Sequence, residues 1–83
     1  MKNAARNTKQ FGAIIRRERK QRALTQAQLG EKIGLRQATI SKLERGAPGT
    51  QLRTAFDVLT ALGLEIHVRL REQGGPEDIE SMF

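Results

Sequence analysis

A short polar run near the middle of the chain carries groups that fit the edges of base pairs. The side-chain amide of Gln37 can accept a hydrogen bond from N6 of adenine and donate one to N7. Ala38 offers a methyl group to thymine, and Thr39 offers a methyl or a hydroxyl group. Ser41 and Lys42 follow one turn later, and the ammonium group of Lys42 fits either guanine or a phosphate. These residue types predict base contacts, provided that a helix carries them into a groove of DNA.

The sequence offers little for catalysis or metal binding. It contains no Cys and a single His, His67, whereas a metal site needs several clustered ligands. The segment GAPG at 46–49 is typical of a turn and lacks the pattern of a phosphate-binding loop. No nucleophile stands in a recognisable pattern with a base. We therefore expect a protein that is not an enzyme and uses no metal or cofactor, with His67 exposed.

The charge of the chain is unevenly distributed. The 83 residues carry a net charge of +6. Residues 1–53 hold 13 Lys or Arg and 3 Asp or Glu, whereas residues 54–83 hold 2 and 6. A basic first part favours a polyanionic partner such as nucleic acid, although charge alone fits a solvated basic surface equally well. That alternative applies most to one cluster: Arg16, Arg17, Arg19, Lys20 and Arg22.

The length of the chain allows one small domain with a modest core. Without Cys there are no disulfides to add stability, so dimerisation is a natural way to bury more surface. The first ten residues lack the apolar run of a signal peptide, and no stretch approaches the ~20 apolar residues of a membrane span. We expect a cytoplasmic, nucleoid-associated protein with no membrane partner and a flexible N-terminus at residues 1–7.

Apolar periodicity predicts a helical domain over residues 8–63. The first helix runs from about Thr8 to Arg22, with apolar residues at helical spacing among basic ones. Thr25 begins a second helix, because its hydroxyl can cap the free amides and Gln28 completes a capping-box pattern. Gly34 ends that helix, at a position that favours a left-handed residue.

Two further helices complete the predicted domain. The third covers about residues 36–45, with Ile40 and Leu43 turned inward. Thr50 is expected to cap a fourth helix that ends at Gly63. The apolar residues expected to supply its core face are Leu52, Phe56, Val58, Leu59 and Leu62.

The hydropathy period changes after residue 63. Apolar and polar residues alternate strictly over residues 64–71, which is typical of a half-buried strand. A single strand needs a partner for its backbone groups, and the same strand of a second copy can provide one about a two-fold axis. The residues that this homodimer would bury are Leu64, Ile66, Val68 and Leu70. The predicted fold class is therefore mostly α, with four to five helices and one C-terminal strand that pairs across a homodimer.

An acidic segment follows the predicted strand. Residues 72–83 contain a Gly-Gly-Pro break at 74–76 and are expected to form a flexible tail. The tail carries three apolar residues near its end: Ile79, Met82 and Phe83. They could contact a partner protein, and plain disorder is the alternative.

The segment LTQAQLGEKIGLRQATISKLERG at 24–46 resembles the helix-turn-helix of the phage-repressor family. Nine positions match the family pattern: Leu24, Thr25, Gln26, Leu29, Gly34, Ile40, Ser41, Glu44 and Gly46. With its flanking helices the resemblance covers about residues 9–63. Within that family the run Ile33–Glu44, the run Thr50–Thr54 and the single alternating strand are most similar to HipB-type antitoxins. Such proteins bind operator DNA and are partners of HipA-type kinases.

The resemblance implies roles for residues outside the polar run. In phage repressors the residue matching Gln26 contacts phosphate and braces the residue matching Gln37. The residues matching Arg19 and Glu44 form a largely buried ion pair between the first and third helices, so these two are expected to be structural. Contacts to the DNA backbone, which fix register without reading sequence, are expected from Arg36, Thr50, Gln51 and Arg53.

Three positions depart from the family pattern. Ala23 stands where a Gly is common, so the first helix either runs on or ends under mild strain. Arg36 replaces a common Ser or Thr, which exchanges a helix cap for a phosphate contact. Gly30 replaces a common Ala, which costs about 1 kcal/mol of helix propensity.

Three functions are compatible with these features. The first is an antitoxin-type repressor, a homodimer that binds inverted half-sites in an operator near its own promoter and also neutralises a HipA-like Ser/Thr kinase toxin. The second is a stand-alone transcriptional regulator without a toxin. The third is an adaptor whose helical domain docks another protein, and the polar run and the basic first part argue against it.

Overall fold

The computed structural model describes residues 4–71 of the chain, and within them it has four helices. Their bounds are α1 Thr8–Gln21, α2 Gln26–Ile33, α3 Gln37–Glu44 and α4 Leu52–Ala61. Helix α3 packs against both α1 and α2, and α4 packs against α2. The mostly helical architecture predicted from periodicity is confirmed, with helix ends within about two residues of the expected ones. No helix among these residues is long and apolar enough to cross a membrane.

Local signals fix the ends of α2. The hydroxyl of Thr25 accepts a hydrogen bond from the backbone N–H of Gln28 at 3.0 Å, and the Gln28 side chain accepts one from the Thr25 N–H at 2.8 Å. This reciprocal arrangement is the predicted capping box, which satisfies two otherwise unpaired amides. At the other end Gly34 adopts the left-handed conformation with φ of 70°, as predicted. Residues next to each end of α2 therefore determine where the helix begins and ends.

Ala23 lies in the turn between α1 and α2 with φ of 55°. It is the one non-glycine residue with positive φ among residues 4–71. A side chain in this region costs about 1–2 kcal/mol. Helix α1 thus ends at Gln21 and the chain turns under strain, which is the second of the two outcomes expected for an Ala at this position.

Gly30 allows the turn after α2 to pack closely onto the helix. A Cβ atom built on Gly30 would lie 2.4 Å from the backbone carbonyl oxygen of Leu35, far inside contact distance. The backbone N–H of Leu35 also donates to the Gly30 carbonyl at 2.8 Å. The close approach of this backbone explains why Gly stands here in place of the common Ala.

The core is formed by apolar residues from all four helices. Its fully buried members are Ile15, Leu29, Ile40 and Val58, joined by Leu43, Leu59 and Leu62. Two residues predicted to lie in the core do not: Leu52 is 67% exposed and Phe56 is 47% exposed. Helix α4 instead buries Ala55, which continues one stripe of the helix with Val58, Leu59 and Leu62. Leu52 and Phe56 form an adjacent stripe, one turn apart, that faces outward.

The start of α4 also differs from the prediction. Its N-cap residue is Gln51, not Thr50, and no side chain caps the helix there. Thr50 is exposed and lines a groove beside Leu52 and Ile66. The helix therefore begins one residue later than expected.

Residues 64–71 follow α4 without secondary structure of their own, and no strand is present among residues 4–71. Leu64 is half-buried against the core, and its N–H donates to the Leu59 carbonyl at 2.8 Å. Ile66, Val68 and Leu70 are exposed. The strand predicted here would hydrogen-bond to a second copy of the chain. A single chain does not test it, so the strand and its pairing stay predictions. The tail residues Ile79, Met82 and Phe83 lie outside the described residues.

Candidate nucleic-acid interface

Helix α3 begins at Gln37 and presents the polar run on the surface. Gln37, Ala38 and Lys42 are exposed, whereas Thr39 and Ser41 are half-buried. The opposite side of the helix is anchored, because Ile40 and Leu43 are buried in the core. The five side chains therefore include three that are accessible along the outer face and two that border it.

The amide of Gln37 is held by Gln26 at the start of α2. The Nε2 group of Gln37 donates to Oε1 of Gln26 at 2.5 Å. Gln26 is half-buried, and its own Nε2 group donates to Oε1 of Glu44 at 3.0 Å. The first residue of α3 is thus hydrogen-bonded to the first residue of α2, in the bracing arrangement that the phage-repressor resemblance implies.

Arg19 and Glu44 form a buried ion pair beneath this surface. The Arg19 Nε and Nη2 groups donate to the two carboxylate oxygens of Glu44 at 2.6 and 3.0 Å. Arg19 Nη1 also donates to the Leu24 carbonyl at 2.6 Å. Both charged residues are 7% exposed. The pair therefore fastens α1 to the end of α3 and to the turn before α2.

The environment of the pair shifts the pKa of both groups toward their charged forms. Burial alone would raise the pKa of Glu44, but hydrogen bonds from Arg19 and Gln26, with the positive charges of Arg19 and Arg16, outweigh it and lower the pKa below its ordinary value. The hydrogen bond to Glu44 raises the pKa of Arg19, against the opposing effect of burial. Glu44 is consequently a carboxylate, and only an acceptor of hydrogen bonds, at neutral pH.

An open groove between α1 and α3 runs beside Gln26 and carries several basic side chains. Arg16 and Lys20 of α1 and Arg45 after α3 line it, together with Lys9. Arg45 Nη1 donates to the hydroxyl of Ser41 at 3.1 Å, which ties this charge to the polar run. Sequence reasoning missed Arg45 and Lys9, although Arg45 stands one turn after Ser41.

Arg22, which directly follows α1, has different surroundings. Arg22 pairs with Glu18 one turn earlier, with 2.8 Å between Nη1 and Oε1, and belongs to an ordinary surface pair. Part of the α1 cluster therefore lies alongside the polar run and part is occupied elsewhere.

The residues predicted to contact the DNA backbone lie at helix starts. Arg36 is the N-cap residue of α3 and Gln51 that of α4, and neither helix start has a side-chain cap. Arg36, Gln51 and Arg53 are exposed, as is Thr50. Within residues 4–71 no hydrogen bond joins these four side chains to the Gln26–Gln37 pair. These four side chains therefore lie outside the hydrogen-bonded Gln26–Gln37 pair.

A second surface has the opposite character. An apolar groove of about 420 Å³ is lined by Phe11, Leu43, Leu52, Ala55 and Ile66, among others. Its rim includes exposed apolar side chains from α4 and from the segment after it. We use the term apolar face for the exposed large apolar side chains of α4 and of the segment after it: Leu52, Phe56, Ile66, Val68 and Leu70.

His67 belongs to the segment 64–71 and is exposed, as predicted. Its ring contacts the carboxylate of Glu65, and both side chains are exposed. Within residues 4–71 no three His, Cys, Asp or Glu residues come together in a group that could hold a metal ion.

The sequence of this chain is similar to a known family and to proteins within it. The family model HTH_3, described as helix-turn-helix, matches residues 15–68. Antitoxin HipB of Escherichia coli is 35% identical over 71 residues, which cover 86% of this chain and 81% of that protein. An uncharacterized HTH-type transcriptional regulator of Methanothermobacter thermautotrophicus is 40% identical over 52 residues, which cover 63% of this chain and 75% of that protein.

Solved structures give the same result. A HipB variant in an O2 20mer complex superposes with a TM-score of 0.80 at 32% identity, covering 87% of this chain and all of that one. A HipA-HipB-O2-O3 complex superposes with a TM-score of 0.77 at 32% identity, covering 83% of this chain and 97% of that one. The chain therefore belongs to the helix-turn-helix family of DNA-binding regulators, and within it is a HipB-like member.

Proposed function

We propose that this protein is an antitoxin and transcriptional autorepressor that binds an inverted-repeat operator as a homodimer and neutralises a HipA-like Ser/Thr kinase. The observation that carries the DNA-binding part is the exposed amide of Gln37 at the first residue of α3, braced by Gln26. The HipB-like relationship carries the antitoxin part.

Base reading is assigned to the polar run on α3. Gln37 is the adenine contact, because an amide alone among these side chains offers a donor and an acceptor side by side. Ala38 and Lys42 are exposed next to it and contribute a methyl and an ammonium group. Thr39 and Ser41, which are half-buried, contribute at the margin of the contact.

Backbone contacts are assigned to side chains around this centre. Gln26 has one side-chain N–H left after donating to Glu44, and this proton is the one directed at phosphate. Arg36, Thr50, Gln51 and Arg53 supply further contacts from the starts of α3 and α4. Helix starts suit phosphate because free amides and the helix dipole both favour an anion there.

The homodimer is assigned to the apolar face. Residues 64–71 alternate in hydropathy, and the apolar members Ile66, Val68 and Leu70 are exposed in the single chain. Pairing of this segment with its copy, in the strand predicted from periodicity, would cover these residues and Leu64 while satisfying the backbone groups. The two copies of α3 would then face half-sites about one helical turn (roughly 34 Å) or a small multiple of it apart.

The toxin contact is proposed from the HipB relationship. A HipA-HipB-O2-O3 complex is among the similar solved structures. We propose the acidic segment 72–83, with Ile79, Met82 and Phe83, as the part of this chain that contacts the kinase. We place the protein in the cytoplasm at the nucleoid, where such an operator lies.

The base-reading role is tested by Gln37→Ala. This variant should lose most of its preference for the operator over an unrelated duplex, while salt-sensitive nonspecific binding stays nearly unchanged, because phosphate contacts dominate the latter. Fluorescence anisotropy at two salt concentrations measures both affinities. Thr60→Ala is the control, since Thr60 is also exposed but lies on α4, away from the groove beside Gln26. An equal loss of both affinities in Gln37→Ala would contradict the assignment.

A stand-alone regulator is the second candidate function. The archaeal relative at 40% identity is described as an HTH-type transcriptional regulator without reference to a toxin. Purification of the native protein from its own cells separates the two functions. A kinase-like protein that co-purifies and is encoded next to this chain supports the antitoxin. A pure homodimer whose neighbouring gene encodes no kinase supports the stand-alone regulator, and a complex that binds no operator would support an adaptor.

A further inference from the structure

A continuous chain of hydrogen bonds leads from the core to the exposed amide of Gln37. Arg19 donates to both oxygens of Glu44 at 2.6 and 3.0 Å. Gln26 donates to Oε1 of Glu44 at 3.0 Å, and Gln37 donates to Oε1 of Gln26 at 2.5 Å. The buried ion pair is therefore connected through the half-buried amide of Gln26 to the exposed side chain of Gln37.

The charge of Glu44 fixes the direction of every bond in this chain. A carboxylate has lone pairs and no proton to donate, so Gln26 must turn its NH2 group toward it. The Oε1 atom of Gln26 then faces Gln37 as an acceptor. Gln37 must in turn donate with its Nε2 group, and neither amide can rotate by half a turn without losing a bond.

This direction decides which groups Gln37 presents to a base. One N–H of its Nε2 group is used by Gln26, which leaves the second N–H and the Oε1 atom. A donor beside an acceptor matches N7 and N6 of adenine. With the opposite direction Gln37 would accept from Gln26 with one lone pair of Oε1 and keep both N–H donors, so it could also donate to both the O6 and N7 acceptors of guanine.

We propose that Glu44 is a positioning residue for base recognition: through Gln26 it sets the amide of Gln37 in the orientation that selects adenine over guanine. The proposal rests on the proposed function, in which Gln37 contacts a base. It assigns the buried ion pair a second role beyond stability. Holding Gln37 in advance also avoids part of the cost of ordering its side chain when DNA binds.

Two variants interrupt the chain at different points. Gln26→Met removes the connecting amide while leaving Arg19 and Glu44 paired. Arg19→Met/Glu44→Met removes both charges together, a replacement that commonly preserves folding because no buried charge is left alone. Glu18→Gln/Arg22→Gln is the matched control, since it also removes a net-neutral ion pair of α1 but does not touch Gln26.

The measurement is the ratio of affinities for adenine and guanine at the base that Gln37 contacts. Selection of binding sites from a randomised duplex library, with the wild type and with Gln37→Ala, identifies that base as the position whose preference Gln37→Ala abolishes. Both interrupting variants should lower the adenine-to-guanine ratio by about threefold to tenfold, the scale of ordering one side chain. The control should leave the ratio unchanged.

The outcomes separate the inference from the function on which it rests. If the ratio stays at the wild-type value in Arg19→Met/Glu44→Met, whatever happens to stability, Glu44 is structural alone and the proposal is overturned. The same conclusion follows if only Gln26→Met lowers the ratio. If Gln37→Ala abolishes the preference at no position, base reading by Gln37 itself fails, and the inference falls with it.

Discussion

The polar surface around Gln37 and the apolar face around Ile66 lie on one small domain and are built in opposite ways. On the polar surface the side chains are connected to the core by hydrogen bonds, from Gln37 through Gln26 to Glu44. On the apolar face Leu52 and Ile66 line a groove and expose large apolar areas. The difference supports the two proposed partners, DNA for the polar surface and a second copy for the apolar face, since oriented polar groups give specificity and apolar area gives association.

The largest expected effect on stability comes from breaking the buried Arg19–Glu44 ion pair beneath the polar surface. Replacing Arg19 alone by Met should lower the free energy of unfolding by about 3–5 kcal/mol, because the charge of Glu44 is then buried without its partner. Urea denaturation measures the change. Arg22→Met is the control: its pair with Glu18 is more exposed, so the loss should stay below about 1 kcal/mol. Equal losses in the two variants would contradict a buried, structural pair.

The same ion pair should make the free energy of unfolding depend on pH at acidic pH. The folded protein holds the pKa of Glu44 below its ordinary value, so the stabilisation is fully present above the unfolded pKa of about 4.3. It is lost as the pH falls through the lower, folded pKa. The measurement is the free energy of unfolding of the wild type and of Arg19→Met/Glu44→Met from pH 6 to 2.5. The wild type should lose more stability than the variant, and parallel curves would contradict the pKa shift.

The apolar face should respond to a loss of apolar area. Ile66→Ser should weaken the proposed homodimer by about 3 kcal/mol, because two copies each lose about 1.5 kcal/mol of apolar burial. Sedimentation equilibrium measures the dissociation constant. Glu65→Ser, on the neighbouring exposed position, is the matched control and should leave association unchanged. A dimer that is as strong in Ile66→Ser as in the wild type would remove the apolar face from the interface.

The smallest expected effect concerns the turn that sets α2 in place. Ala23→Gly should raise the free energy of unfolding by about 0.5–1 kcal/mol, since relief of the positive φ exceeds the added freedom of the unfolded chain. Ala13→Gly, at an exposed position inside α1, should instead cost about 1 kcal/mol. Thermal unfolding compares the two. A loss of stability in Ala23→Gly would show that the turn carries no strain.

The polar surface was more predictable from sequence than the apolar face. The capping box of Thr25 and Gln28 and the left-handed Gly34 are local signals, so they position α2 and α3 without reference to the rest of the chain. Leu52 and Phe56 were expected in the core because periodicity shows that a helix has an apolar stripe, but not which stripe meets its own domain. Two adjacent stripes on α4 carry apolar residues, and one of them is left outside.

The hydrogen-bonded connection inside the polar surface lay beyond sequence reasoning for a different reason. Residue types and a family resemblance suggest the pair Arg19–Glu44 and the pair Gln26–Gln37 separately. The bond that joins the pairs, from Gln26 to Glu44, links residues 18 positions apart and exists because α2 and α3 meet at their ends. Only the packed helices bring those two side chains together.

The proposal that the polar surface binds DNA and the apolar face does not is tested most directly by an NMR titration of the 15N-labelled protein with its operator duplex. The side-chain amide signals of Gln37 and Gln26 and the backbone signals of Ala38 and Lys42 should shift most, whereas the backbone signals of Phe56 and Ile66 should stay in place. Shifts concentrated at Phe56 and Ile66, with the two side-chain amides unchanged, would contradict the account.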